Sequence, residues 1–180
     1  MIHFKPGIII LLFTILLVSC KTDSRETREV LSADYWKSQA LDHIMPYWTK
    51  NAVDNEYGAF YTNLDSVWDL YGSRNKFPSM ISRHLFSYSS AYLMSGNEEY
   101  IRIADSTFNW LIEKAWDKEY GGWYDALDEK GDPVQFSKTT FVQVYAITGL
   151  TMYYFVTRDR KALEYIEKSK EDWPFAAAAR

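Results

Sequence analysis

Arg83 is the residue of this sequence that most clearly asks for a chemical explanation. It falls among Met80, Ile81, Leu85 and Phe86, and no acid stands three or four residues away to pair with it on a helix. Such a guanidinium either serves structure, snorkelling or pairing with another helix, or lines a polar cavity and offers its planar donors to oxygen. The residues themselves leave both readings open. Histidine is the other common acid-base group, and the chain has three. His3 lies in the apolar N-terminal segment, His43 at the edge of an apolar stripe, and His84 about 100° round a helix from Arg83. All three are expected to be ordinary histidines. Asp125 and Asp128 sit in a turn-rich stretch and are poor candidates for the carboxylate pair of glycoside hydrolysis. The sequence has no phosphate-binding glycine loop, serine-nucleophile motif or metal-ligand spacing, so neither metal nor cofactor is expected.

The elements that must position Arg83 are written twice. Residues 54–65 read DNEYGAFYTNLD and residues 117–128 read DKEYGGWYDALD, seven identities in twelve at an offset of 63. Lys76 and Lys138, 62 apart, each open an apolar stretch of helical length. A period of this size implies stacked units that cannot bury their apolar faces alone. Gly58 and the Gly121-Gly122 pair allow turns among bulky aromatics, and the unit reads as strand, turn, strand, helix. In the second copy Trp123–Leu127 and Val134–Phe136 are the expected strands. The aromatic segments Tyr57–Tyr61 and Tyr120–Tyr124 could stack on sugar rings, but wedging hairpins against helices explains them more simply.

Five helices are expected. Trp36, Ala40, Ile44 and Trp48 mark the first. Pro78 and Gly96 bracket the second over Ser79–Met94. Asn97 caps the third, with Glu98 and Glu99 in its first turn and Ile101, Ala104, Phe108, Leu111, Ile112 and Ala115 at helical spacing. Lys138–Thr157 is the fourth, and Asp159 caps a fifth through Glu171, with Pro174 as the stop after Trp173. The expected fold is an all-α array of paired helices with small β-hairpins at one end.

A net charge of −4 and scattered Lys and Arg give no electrostatic reason to bind nucleic acid. The single cysteine, Cys20, excludes an internal disulfide. Residues 1–19 carry one lysine, no acid and an apolar run from Gly7 to Val18, which reads as a secretory signal. Its end, Leu17-Val18-Ser19-Cys20, resembles the bacterial lipobox, implying cleavage before Cys20 and lipid modification of that residue. The expected protein is an exported, membrane-anchored bacterial lipoprotein. The expected division is a signal over 1–19, a charged tether over 20–33 and a helical domain over 34–180.

Three runs in order, YWTKNAVDNEYGAFYTNLD, KFPSMISRHLFSYSSAY and WDKEYGGWYDALDEKGDPVQFSKTTFVQVYAITGL, resemble the N-terminal part of the N-acylglucosamine 2-epimerase family. That family includes cellobiose and mannobiose 2-epimerases and aldose-ketose isomerases, and the likeness covers Tyr35 to about Lys170. It implies a partial (α/α)6 toroid acting on a mono- or disaccharide by proton abstraction beside the carbonyl, through an enediol or enediolate. No metal or nucleotide is implied for the chemistry. The matching arginine of the K-x6-R segment, Arg83, is then expected to line the pocket and contact the reacting oxygens. A pocket tyrosine three residues after the second motif lysine is replaced here by Phe141, which removes a hydroxyl from the binding surface. The resemblance also implies that the catalytic histidines lie in helices beyond Arg180, so that these 180 residues alone are expected to be inactive. Two rival readings stand beside the enzyme: a non-catalytic glycan-binding lipoprotein, and a glycoside hydrolase or lyase of related toroid architecture.

Overall fold

The computed structural model describes residues 32–171, and the expected signal, Cys20 and the Trp173-Pro174 stop lie outside them. The chain divides into two compact units between Gln39 and Ala40. In the first, helix α1 (Ala33–Ser38) begins where the Ser32 side chain accepts the Tyr35 amide at 3.1 Å. A π-helical turn, Gln39–Ile44, spans the division, and α2 (Met45–Asn51) belongs to the second unit. The first expected helix is therefore interrupted. Pro46 lies in the first turn of α2; it lacks an N–H and its ring crowds the carbonyl four residues earlier, which a widened turn relieves.

In the second unit, helix α3 (Pro78–Ser95) starts at its proline and stops at Gly96, whose φ of +70° lets its amide reach the Tyr92 carbonyl at 2.7 Å. Helix α4 (Glu98–Trp110) is capped by Asn97 and runs on as a π-helical turn through Ala115. Helix α5 (Thr140–Thr157) begins two residues later than expected, because Lys138 is committed to a contact of its own. Helix α6 (Arg160–Glu171) follows Asp159, whose carboxylate accepts the Lys161 amide at 2.7 Å.

The principal packing is α5 on α3, with α4 against α3 and α6 against α5. Gly149 makes the first of these possible. A Cβ there would collide with the Ser82 backbone carbonyl, and the Ser82 and Ser89 side chains facing the core are small. Ile81, Leu85, Tyr88, Ala146 and Leu150 fill the shared core. Tyr153 ties α5 to α4 by donating to Asp105 at 2.7 Å and stacking on Phe108.

The β additions are shorter than expected. Strand β1 (Ala126–Leu127) pairs antiparallel with β2 (Pro133–Gln135), Ala126 opposite Gln135 and Leu127 opposite Pro133, with a bulge between. Leu127 also bridges Lys76, exchanging both backbone hydrogen bonds at 2.8 and 2.9 Å. The second repeat is thereby clipped to the first.

Candidate functional site

The two copies of the repeated segment build the same Asp-Lys-fastened loop. Asp54 Oδ1 accepts the amides of Glu56 and Tyr57 at 2.9 and 3.0 Å, and Asp117 Oδ1 accepts those of Glu119 and Tyr120 at 2.9 and 3.1 Å. The other oxygen of each carboxylate holds the lysine of its own repeat: Lys76 to Asp54 and Lys138 to Asp117, both at 2.7 Å. Each lysine also donates to the glycine carbonyl of its loop, Gly58 at 2.6 Å and Gly121 at 2.5 Å. Phe60 and Trp123, at equivalent positions, are fully buried.

Burial alone would push the Asp54 carboxyl up, but the Lys76 ammonium and two backbone N–H groups outweigh it and hold it below the usual carboxylate range. At Asp117 burial opposes in the same way, yet Lys138 and the Tyr120 and Glu119 amides bring it down to about 2. These lysines are fasteners between a loop and the start of a helix. Each lysine precedes its helix and turns back into its motif loop, and Lys76 is sealed from solvent.

The last identity, Asp65 with Asp128, is turn chemistry. Asp65 Oδ1 accepts the amides of Val67 and Asp69, and Asp128 Oδ1 those of Lys130 and Asp132, all at 2.9 Å. Asp125 accepts from the Thr139 amide and hydroxyl at 2.8 Å and from the Ser137 hydroxyl at 2.6 Å, fixing the entry to α5. Both Asp125 and Asp128 are therefore occupied, as their place in a hairpin suggested. Gln143 was missed. Its side chain accepts the Trp123 amide at 2.9 Å and donates to the Trp123 carbonyl at 2.8 Å, clasping α5 to the second loop.

Arg83 projects from the second turn of α3 and meets α5. Its guanidinium carbon lies 3.8 Å from the Tyr145 ring centre and 5.5 Å from that of Phe141. Its Nη1 contacts Met80 Sδ at 2.8 Å, and it forms no ion pair among the described residues. Phe141 is 54% exposed and stands edge-on to Tyr145, with centroids 4.7 Å apart. The packing of α3 on α5 thus brings Arg83 and Phe141 to one place and adds Tyr145, which the sequence reading did not single out. Beside them a cavity of about 220 Å³ is lined by Ile44, Met45, Trp48, His84 and Tyr88 together with Arg83. A separate cleft of about 430 Å³, between the first motif loop and α4, does not include Arg83.

His84 stacks on Phe60 at 4.2 Å and tilts against Trp48 at 4.8 Å. Burial among these rings lowers its pKa to about 4, so it is a neutral aromatic spacer at physiological pH. Among the described residues no group of three or more His, Cys, Asp or Glu is placed to hold a metal ion.

Helix pairs repeated along the chain, each entered through an Asp-Lys-fastened loop, define a protein of the all-α, helical-hairpin class. The chain belongs to the N-acylglucosamine 2-epimerase family, whose model matches residues 58–171. It is 34% identical over 137 residues to a cellobiose 2-epimerase of Bacteroides fragilis, covering 76% of this chain and 35% of that relative. A crystal structure of a sugar epimerase from a ruminal bacterium superposes with a TM-score of 0.71 at 34% identity, over 76% of this chain and 35% of that one. Cellobiose 2-epimerase of Spirochaeta thermophila gives 0.75 at 24% identity, over 84% and 37%, a likeness of fold. The fold class read from the sequence, all-α in part of an (α/α)6 toroid with short β additions, stands. The chain spans about a third of the length of the relatives it matches.

Proposed function

We propose that this protein serves a carbohydrate 2-epimerase or isomerase acting on a mono- or disaccharide, with Arg83 at the reacting oxygens and Phe141 lining the sugar site. The single observation that carries this reading is the state of Arg83: a guanidinium held against an aromatic face, beside a cavity, with no acid to neutralise it among the described residues. Proton abstraction beside a carbonyl builds negative charge on oxygen, and a preorganised cation stabilises it. Family membership supplies the reaction class.

The acid and base of that reaction need pKa values near the working pH. His84, lowered to about 4 within an aromatic stack, does not suit the task. The 180-residue chain alone is therefore expected to leave sugars unchanged. The test is incubation with cellobiose, mannobiose, mannose and N-acetylglucosamine in deuterated water, following the C2 proton by NMR. No exchange above an Arg83→Ala control is expected; exchange on any of the four would mean that these residues contain a catalytic pair.

A second reading, a glycan-binding lipoprotein without catalysis, is favoured by the exposed Phe141 ring and by the neutral, ring-stacked state of His84. In either case the anchor is Cys20, through the lipobox-like residues that precede it. The glycoside hydrolase reading is weakened by the turn-bound state of Asp125 and Asp128.

A further inference from the structure

Tyr145 holds, in the second repeat, the place that Arg83 holds in the first: each stands seven residues after its motif lysine, Lys138 and Lys76. The packing of α5 on α3 brings the two together, with the Arg83 guanidinium carbon over the Tyr145 ring, 3.8 Å from its centre. Stacking uses the flat face of a guanidinium and leaves its in-plane N–H donors directed past the ring rim. Among the described residues only Met80 Sδ receives one of them. Tyr145 is half-buried, and the sealed hydroxyls without a partner are those of Ser82 and Ser89. The Tyr145 hydroxyl, which bonds to no other described residue, therefore reaches solvent at the rim of the ring that carries Arg83.

We infer that Tyr145 is a positioning and specificity-determining residue: its ring face fixes the Arg83 fork, and its hydroxyl gives a bound sugar the phenolic hydrogen bond that Phe141 cannot. The second half rests on the sugar reading proposed above; the first concerns Arg83 alone. Were Tyr145 only packing, any side chain of its shape would serve.

The two halves separate in one set of NMR measurements on the full 180-residue chain with ¹⁵N-labelled arginine. The Arg83 Nε–Hε signal is identified by its disappearance in Arg83→Lys. In the wild type it should lie upfield, displaced by the aromatic face; Tyr145→Phe should keep that displacement and Tyr145→Leu should abolish it. Should Tyr145→Leu fail to fold, pentafluorophenylalanine at position 145 takes its place, keeping the shape while reversing the ring quadrupole that attracts the cation. An Arg83 signal unmoved by either change overturns the positioning role. Titration with cellobiose should perturb the same signal, and Tyr145→Phe should weaken binding about 5-fold, the loss of one hydrogen bond. Equal binding by wild type and Tyr145→Phe overturns the hydroxyl role. A wild type that ignores cellobiose up to saturation overturns the sugar reading and the hydroxyl role with it, while the displaced Arg83 signal still upholds the positioning role.

Discussion

Asp54 and Lys76 form an ion pair of 2.7 Å in which neither side chain is exposed to solvent, and the same pair recurs 63 and 62 residues later as Asp117 and Lys138. A buried charge is tolerated when its partner and its remaining hydrogen bonds are all supplied, and removing one member leaves the other stranded. Lys76→Met should therefore destabilise the fold by about 3–5 kcal/mol. Lys138, with a quarter of its side chain exposed, should lose less in the same substitution, because water can reach the stranded Asp117. Urea unfolding of both variants checks the order; equal losses would mean that burial does not govern the pair.

Gly149 is set where α5 crosses α3, against the Ser82 carbonyl. Alanine would gain about 1 kcal/mol in helix propensity, but the colliding partner is backbone and cannot rotate away. Gly149→Ala should lower stability by about 1–3 kcal/mol net. A thermal midpoint at or above that of the wild type would contradict the close crossing.

Stability should fall in two steps on acidification. His84 has a folded pKa near 4 against 6.5 unfolded, so the unfolded state takes up the proton first. Its contribution, about 3 kcal/mol by linkage, is present above pH 6.5 and lost as pH falls towards 4. Asp117, depressed to about 2 from 3.8, contributes stability above pH 3.8 that is lost between there and pH 2. His84→Phe should remove the first step and keep the second, as read by urea midpoints between pH 7 and pH 2. An unchanged first step would place the titrating group elsewhere.

Much of this fold was legible because its signals are local. Pro78, Gly96, Asn97 and Asp159 each act within a turn of the helix end they mark, and each helix starts or stops where they stand. The repeat was equally plain, but its purpose was not, since the Asp54–Lys76 bond closes over 22 residues and only the folded chain brings its ends together. The same holds for Tyr145. Nothing in its neighbours distinguishes it from a core tyrosine, and its contact with Arg83 exists only because Gly149 lets two helices cross closely. The π-helical turn before Pro46 was foreseeable in principle, as a proline inside an apolar periodicity.

Cys20 should carry the lipid if the N-terminal segment is the signal that its sequence resembles. Cys20→Ala should abolish incorporation of radiolabelled fatty acid in cells expressing the protein. Equal labelling of the variant would remove the lipoprotein reading.

The most direct test of the central claim, that Arg83 serves the reacting oxygens of a sugar, is C2 proton exchange in deuterated water, with cellobiose and mannose as substrates, by a protein in which these residues are completed to the length of their relatives. Lysine at position 83 keeps the charge but loses the planar fork. Arg83→Lys should cut kcat by about 100-fold or more, as expected when a transition-state donor is removed, with the fold intact by circular dichroism. Exchange by Arg83→Lys at the wild-type rate would contradict the claim.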